Sequence, residues 1–214
     1  MKKIILSIIL IFTQITIADV LNLTFNDSAI GSATLPGIKG KFKIVSESQN
    51  NNFLRVFSLN KNDSSQARIL LKTPKNAPNN FILNADFRVA TTATPAGKLL
   101  AICDWDSNKE LFRLETTAGK LKLRATNYVN GKLKATEVCK YKSNSWIQIT
   151  LIMNGEQGTC QISLTEKSNS TEIYSGSHTI NKNLKSIFLA SSIWPGQAKD
   201  GYAYDFDNIS VKID

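Results

Sequence analysis

Residues 204–214 read YDFDNISVKID. Ile209, Val211 and Ile213 alternate with Asn208, Ser210 and Lys212, and a period of two marks a strand with one dry and one wet face. The alternation runs to the last residues, where a chain ordinarily frays unless it is tied down. Such a strand needs a neighbour and a covering layer. Residues 20–25, VLNLTF, offer the neighbour, because Leu21, Leu23 and Phe25 alternate in the same way. The expectation is that the two segments pair and close a layered β structure.

The rest of the chain reads alike. Short alternating runs recur, among them KFKIVS (41–46), FLRVFSL (53–59), ARILLKT (67–73) and KLLAICD (98–104). In FILNADFRVA (81–90), Phe81, Leu83, Ala85, Phe87 and Val89 share one face, with Asn84, Asp86 and Arg88 on the other. Asn130-Gly131 is a two-residue hairpin signal, because both residue types tolerate positive φ. WIQITLIM (146–153) and TCQISLTE (159–166) flank NGEQG as a second hairpin, and IFLASSI (187–193) precedes the closing strand. Helical periodicity is almost absent. Strands this short and closely spaced predict an all-β, two-sheet antiparallel jelly-roll sandwich.

The first residues stand apart. A basic MKK, an apolar run over 4–17 and small residues at Thr16 and Ala18 predict an export signal over 1–18. The run is short for a membrane span. Residues 19–214 then form a single sandwich domain, exported to the periplasm or outside the cell. The 214 residues carry a net charge of +9, which falls to +7 without Lys2 and Lys3. The basic residues are scattered, as on strand edges kept from aggregating, and they also suit an acidic polymer. Nucleic acid is not the expected partner: KLKLRATNY (120–128) interleaves basic and aromatic residues only faintly, and the expected export argues against it.

Three cysteines in an exported chain predict one disulfide and one leftover thiol. Cys139–Cys160 is the pair expected, although spacing does not settle connectivity. No CxxC pair occurs and His178 is the single histidine, so a zinc site is not expected.

The order of these segments resembles the concanavalin A-like, laminin-G-like jelly roll. An aromatic strand (FILNADFRV) leads to LLAICD and to ELFRLETTAGKLKLRAT. A tryptophan-opened hairpin (WIQITLIMNGEQGTCQISLTE), FLASS and a closing FDNISV follow. The likeness covers 81–214; residues 19–80 fit by strand count. It departs after the tryptophan hairpin, where EKSNSTEIYSGS stands in place of the Asp-Gly often found there. The resemblance implies a two-sheet fold with one concave and one convex face, and does not fix an activity. It also implies a structural calcium ion near the closing strand, at Asp207 with help from Asn26 or Asp27. Against the calcium reading stands the alternative that Asp207 and Asn208 bond local backbone.

Catalysis finds little footing. Retaining glycosidases need two carboxylates about 5–5.5 Å apart, and the Glu-x-Asp-x-x-Glu run of laminarinase-like enzymes is absent. Asp104 with Asp106, and Asp205 with Asp207, have the right alternation but lie at a strand end and on the closing strand. A lyase would want a Tyr or His base and a group neutralising a uronate, and no signature strand of the alginate-lyase-like families matches. A non-catalytic binder is the expectation. Sugar recognition uses aromatic faces and planar hydrogen-bonding groups. The candidate ligand contacts are therefore Asn84, Asp86 and Arg88, with Gln148 on the same sheet, Arg113, and the aromatics Trp105, Trp194 and Tyr202. Trp146 opens its strand and is expected in the core. Three functions follow: a secreted carbohydrate-binding domain, an enzyme on the same fold, or an envelope module that binds protein.

Overall fold

A computed structural model describes residues 18–31, 38–57, 66–70, 80–90, 96–104, 110–117, 120–129, 132–180, 187–193 and 203–213. Every regular element among them is a strand. In chain order these are β1 (Ala18–Leu23), β2 (Ile38–Gly40), β3 (Phe42–Ser48), β4 (Asn51–Phe57), β5 (Gln66–Leu70), β6 (Asn80–Val89), β7 (Gly97–Asp104) and β8 (Glu110–Thr117). There follow β9 (Lys120–Val129), β10 (Lys132–Lys140), β11 (Ile147–Asn154), β12 (Thr159–Glu166), β13 (Thr171–Thr179), β14 (Ile187–Ile193) and β15 (Ala203–Ile213).

The closing strand sits where its alternation requires. β15 pairs along its length with β6, while its two halves take different partners on the other side. Ala203–Phe206 pairs with β4, and Ile209–Ile213 pairs with β1, with Leu21 opposite Val211 and Leu23 opposite Ile209. The changeover falls at a register shift where Asn208 adopts φ 49°, a left-handed conformation that asparagine tolerates. The bulge lets one strand serve two neighbours. Beginning and tail therefore meet as the alternation predicts.

All strand pairs are antiparallel and fall into two sheets. The larger runs β13-β12-β11-β6-β15-β4-β3, with β1 as the eighth strand beside β15. The smaller runs β10-β9-β8-β7-β14-β5-β2. Each predicted hairpin forms: β9 and β10 meet at Val129 opposite Lys132, and β11 and β12 at Asn154 opposite Thr159. The inner faces interdigitate as one core. Phe81, Leu83, Phe87, Leu151, Leu164 and Val211 come from the larger sheet, and Ile102, Phe112, Leu114 and Leu123 from the smaller. Each such side chain contributes about 1.5–3 kcal/mol by leaving water. Tyr204 spans the gap: wholly buried on β15, its hydroxyl lies 2.5 Å from Thr116 Oγ1 on β8.

No helix among the described residues is long and apolar enough to cross a membrane. The expected export signal over 1–18 lies outside the described residues, except for Ala18, which begins β1.

Candidate functional site

Strand alternation places polar side chains on the two outward faces, and the faces are built differently. On the larger sheet, Asp205 of β15 stands between Arg55 of β4 and Arg88 of β6. Arg55 donates to both Asp205 oxygens at 2.6 and 2.8 Å, and Arg88 donates Nε and Nη2 to Oδ2 at 3.0 and 2.9 Å. Asp205 is entirely buried. Arg88 also pairs with Glu47, and its guanidinium lies 4.5 Å from the Trp146 ring centroid and 4.9 Å from that of Phe53. The arginine hydrogen bond holds the Glu47 carboxyl below its ordinary value. Aromatic faces attract and cover the cation. Trp146, expected in the core, is thus half-buried outside it, edge-on to Phe53. It precedes Ile147, which faces inward, so alternation turns it out.

The expected Asn84, Asp86 and Arg88 triplet lies on this face, but its hydrogen bonds are committed. Asn84 accepts from Thr150 at 2.9 Å, and Asp86 accepts from Lys167 and, at 2.8 Å, from Asn208. Gln148 is exposed opposite Asp86.

On the smaller sheet, Leu100, Ile102, Phe112, Leu114 and Ala125 turn inward, which turns Lys98, Arg113, Glu115 and Arg124 outward. These residues and Glu110 form a chain of ion pairs across β7, β8 and β9. Lys98 pairs with Glu110, and Arg113 donates to Glu110 at 2.9 Å and to Glu115 at 2.6 Å. Arg124 donates to Glu115 Oε1, its Nε at 2.8 Å. Glu115 is wholly buried between two guanidiniums, whereas the Arg124 side chain keeps 41% of its exposure. Two hydroxyls nearby are unspent. Thr126 stands opposite Arg113 and Thr117 follows two residues after Glu115, and both Oγ1 atoms are shut off from solvent with no partner among the described residues. A buried hydroxyl without a partner is costly and uncommon. Of this face, the sequence reading singled out Arg113 alone. Glu110 and Glu115 escaped it because a search for glycosidase spacing passes over a Glu that alternates with Arg.

The remaining expectations divide. Trp105, Trp194 and Tyr202 lie outside the described residues. The Cys139–Cys160 disulfide is not formed: both are thiols, on strands of different sheets. Burial pushes Cys139 up to about 11 and Cys160 higher still, so neither presents a thiolate. The residues expected to hold calcium have these surroundings. Asp27 is exposed, Asn26 Oδ1 accepts from the Asn52 backbone at 2.9 Å, and Asp207 accepts from the Asn208 backbone at 2.8 Å. Its neighbour Asp86 is held by the Lys167 ammonium. Among the described residues no three His, Cys, Asp or Glu converge as a metal site. The local-backbone alternative describes Asp207.

No protein-family model matches the sequence, and no curated protein does. Solved structures do match in fold. A sialidase superposes with a TM-score of 0.67 at 10% identity over 89% of this chain, which spans 18% of that enzyme's length. Lectin II from Ulex europaeus gives 0.62 at 12% identity, covering 91% of this chain and 98% of the lectin. The exoplasmic/lumenal domain of VIP36, in its Ca2+/Man3GlcNAc-bound form, gives 0.55 at 12% identity, covering 85% and 86%. The fold is the concanavalin A-like jelly roll of the lectins.

Proposed function

We propose that this chain is an exported carbohydrate-binding domain, and that the outward face of β7, β8 and β9 is its binding surface. One observation carries the reading: a row of paired Arg and Glu side chains running across β7, β8 and β9, in which the Arg124 side chain stays 41% exposed. Guanidinium and carboxylate groups are planar and offer hydrogen bonds in fixed directions, which suits the hydroxyl pairs of a sugar ring. Holding them in mutual ion pairs orders them before a ligand arrives, so less entropy is lost on binding. The charge of +7 that is left without Lys2 and Lys3 favours an acidic polysaccharide through long-range attraction. The lectin-like fold supports the class of ligand, and the leader-like first residues support export.

Affinity electrophoresis tests this directly, with the mature chain run in gels containing polygalacturonate or a neutral galactan. Retardation without release of reducing ends is expected, stronger in the acidic gel and weakened by salt. Arg113→Gln is expected to weaken it about tenfold, the loss of one charge-assisted hydrogen bond. Free migration through every glycan, with capture of an envelope protein instead, would overturn the reading. Ultraviolet-absorbing unsaturated uronate would make the domain a lyase.

A further inference from the structure

The edge strands β10 and β13, one from each sheet, border a cleft of ≈ 410 Å³. That volume lies within the range of about 300–1,000 Å³ usual for small-molecule sites. Asn127, Lys134, Thr136, Tyr174, His178 and Thr179 line it. Its wall is specifically built. Tyr174, Gly176 and His178 share one face of β13, and the tyrosine hydroxyl lies 3.1 Å from His178 Nε2. The tyrosine reaches that far because residue 176 has no side chain: a Cβ there would stand 2.1 Å from the Tyr174 hydroxyl. Behind the imidazole, Phe112 packs at 5.8 Å between ring centroids. Asn127 donates to the Thr179 carbonyl, tying the two sheets together beside the cleft.

Its electrostatics have one sign. No carboxylate lines the cleft, and Lys134 has no acidic partner among the described residues. Burial, and then Lys134, lower the His178 pKa, so the ring is neutral at pH 7. Tyr174 is raised by burial and then by the neighbouring Cys139 and Cys160, so its proton stays on. The cleft therefore presents one ammonium, one phenol and one neutral imidazole. With its Nε2 protonated, His178 donates to the Tyr174 oxygen and leaves the phenolic proton free to donate outward, a polarised pair.

We propose that this cleft binds the carboxylate of a sugar acid, with Lys134 and Tyr174 gripping the carboxylate and His178 buttressing the tyrosine. Thr136, on the same face of β10 as Lys134, belongs to the same lining and offers a hydroxyl to the ring's own. The site is separate from the Arg–Glu face and stands whether or not that face binds glycan.

His178 is the single histidine, so its ring resonances report the cleft without overlap. Sodium galacturonate, galactose and sodium acetate are titrated into isotope-labelled mature chain at fixed pH and ionic strength. A saturable shift of the His178 ring with galacturonate, and none with galactose, is expected. Lys134 is exposed, so Lys134→Ala folds normally and is expected to weaken galacturonate about tenfold, the cost of one charged contact. Gly176→Ala, which displaces Tyr174, is expected to abolish the shift while the remaining amide spectrum persists. No shift with galacturonate, an equal one with galactose or acetate, or parent-like binding by Lys134→Ala would overturn the proposal.

Discussion

The two outward faces use the same residues to opposite ends. Around Asp205 on the larger sheet, two arginines converge on one buried carboxylate, and Phe53 and Trp146 cover the Arg88 cation. The hydrogen bonds close on one another. Along β7, β8 and β9 the charges run in a line, no aromatic ring among the described residues stacks on them, and two hydroxyls remain unspent. Buried charge thus does not mark function. What separates the two faces is how far the protein's own groups close over the charges: aromatic rings cover Arg88, while the Arg124 side chain stays 41% exposed.

That contrast can be broken. Its sharpest test is Asp205→Ala, which strands Arg88 and Arg55 without their shared anion. A loss of about 3–5 kcal/mol is expected in urea unfolding, as when one partner of a buried pair is removed. Glu115→Ala should cost less, about 1.5–3 kcal/mol, because Arg124 can turn to water. Glycan retention should fall with it, whereas in any Asp205 variant that remains folded it should persist. Equal costs at the two sites would erase the distinction between a closed and an open network.

Trp146→Ala should destabilise by about 1–2 kcal/mol by uncovering Arg88, with no change in glycan retention. Acid should act on the same face. The folded Glu47 pKa is lowered, chiefly by its hydrogen bond from Arg88, so its contribution is present above the ordinary value of 4.5. It is lost as pH falls below that value through the depressed one. Glu47→Gln should flatten the stability curve in that window; an unchanged curve would remove Glu47 from the network. The one change expected to stabilise is Thr126→Val, which deletes a buried hydroxyl with no partner among the described residues. Stability in thermal unfolding should rise by about 1 kcal/mol as that desolvation cost is removed, with glycan retention unchanged. Destabilisation would mean that the hydroxyl serves the fold.

Much of this architecture was legible in the residue order. Period-two runs located the strands, Asn130-Gly131 marked a hairpin, and the alternation of Leu21 and Leu23 matched that of Ile209 and Val211 across their pairing. The site was less legible. Asn84, Asp86 and Arg88 were correctly assigned to one outward face, yet their partners Thr150, Lys167, Asn208 and Asp205 lie 66 to 122 positions away. Trp146 was expected inside and stacks outside, because aromatic content says nothing about which side of a strand is turned in. The Cys139–Cys160 bridge failed for a related reason. A leader-like start and an odd cysteine count speak of compartment, not of whether two thiols come face to face.

Local alternation therefore settles the class of fold, since side chains on a strand must point to alternate sides and only stacked sheets bury one side of so many short strands. It settles the closing pair as well, for an apolar terminal strand has to be covered. Which polar side chains are consumed by one another and which remain available to a ligand is a matter of register between strands far apart in the chain. One step of register moves a guanidinium to the other face of the sheet, and no local pattern encodes that choice.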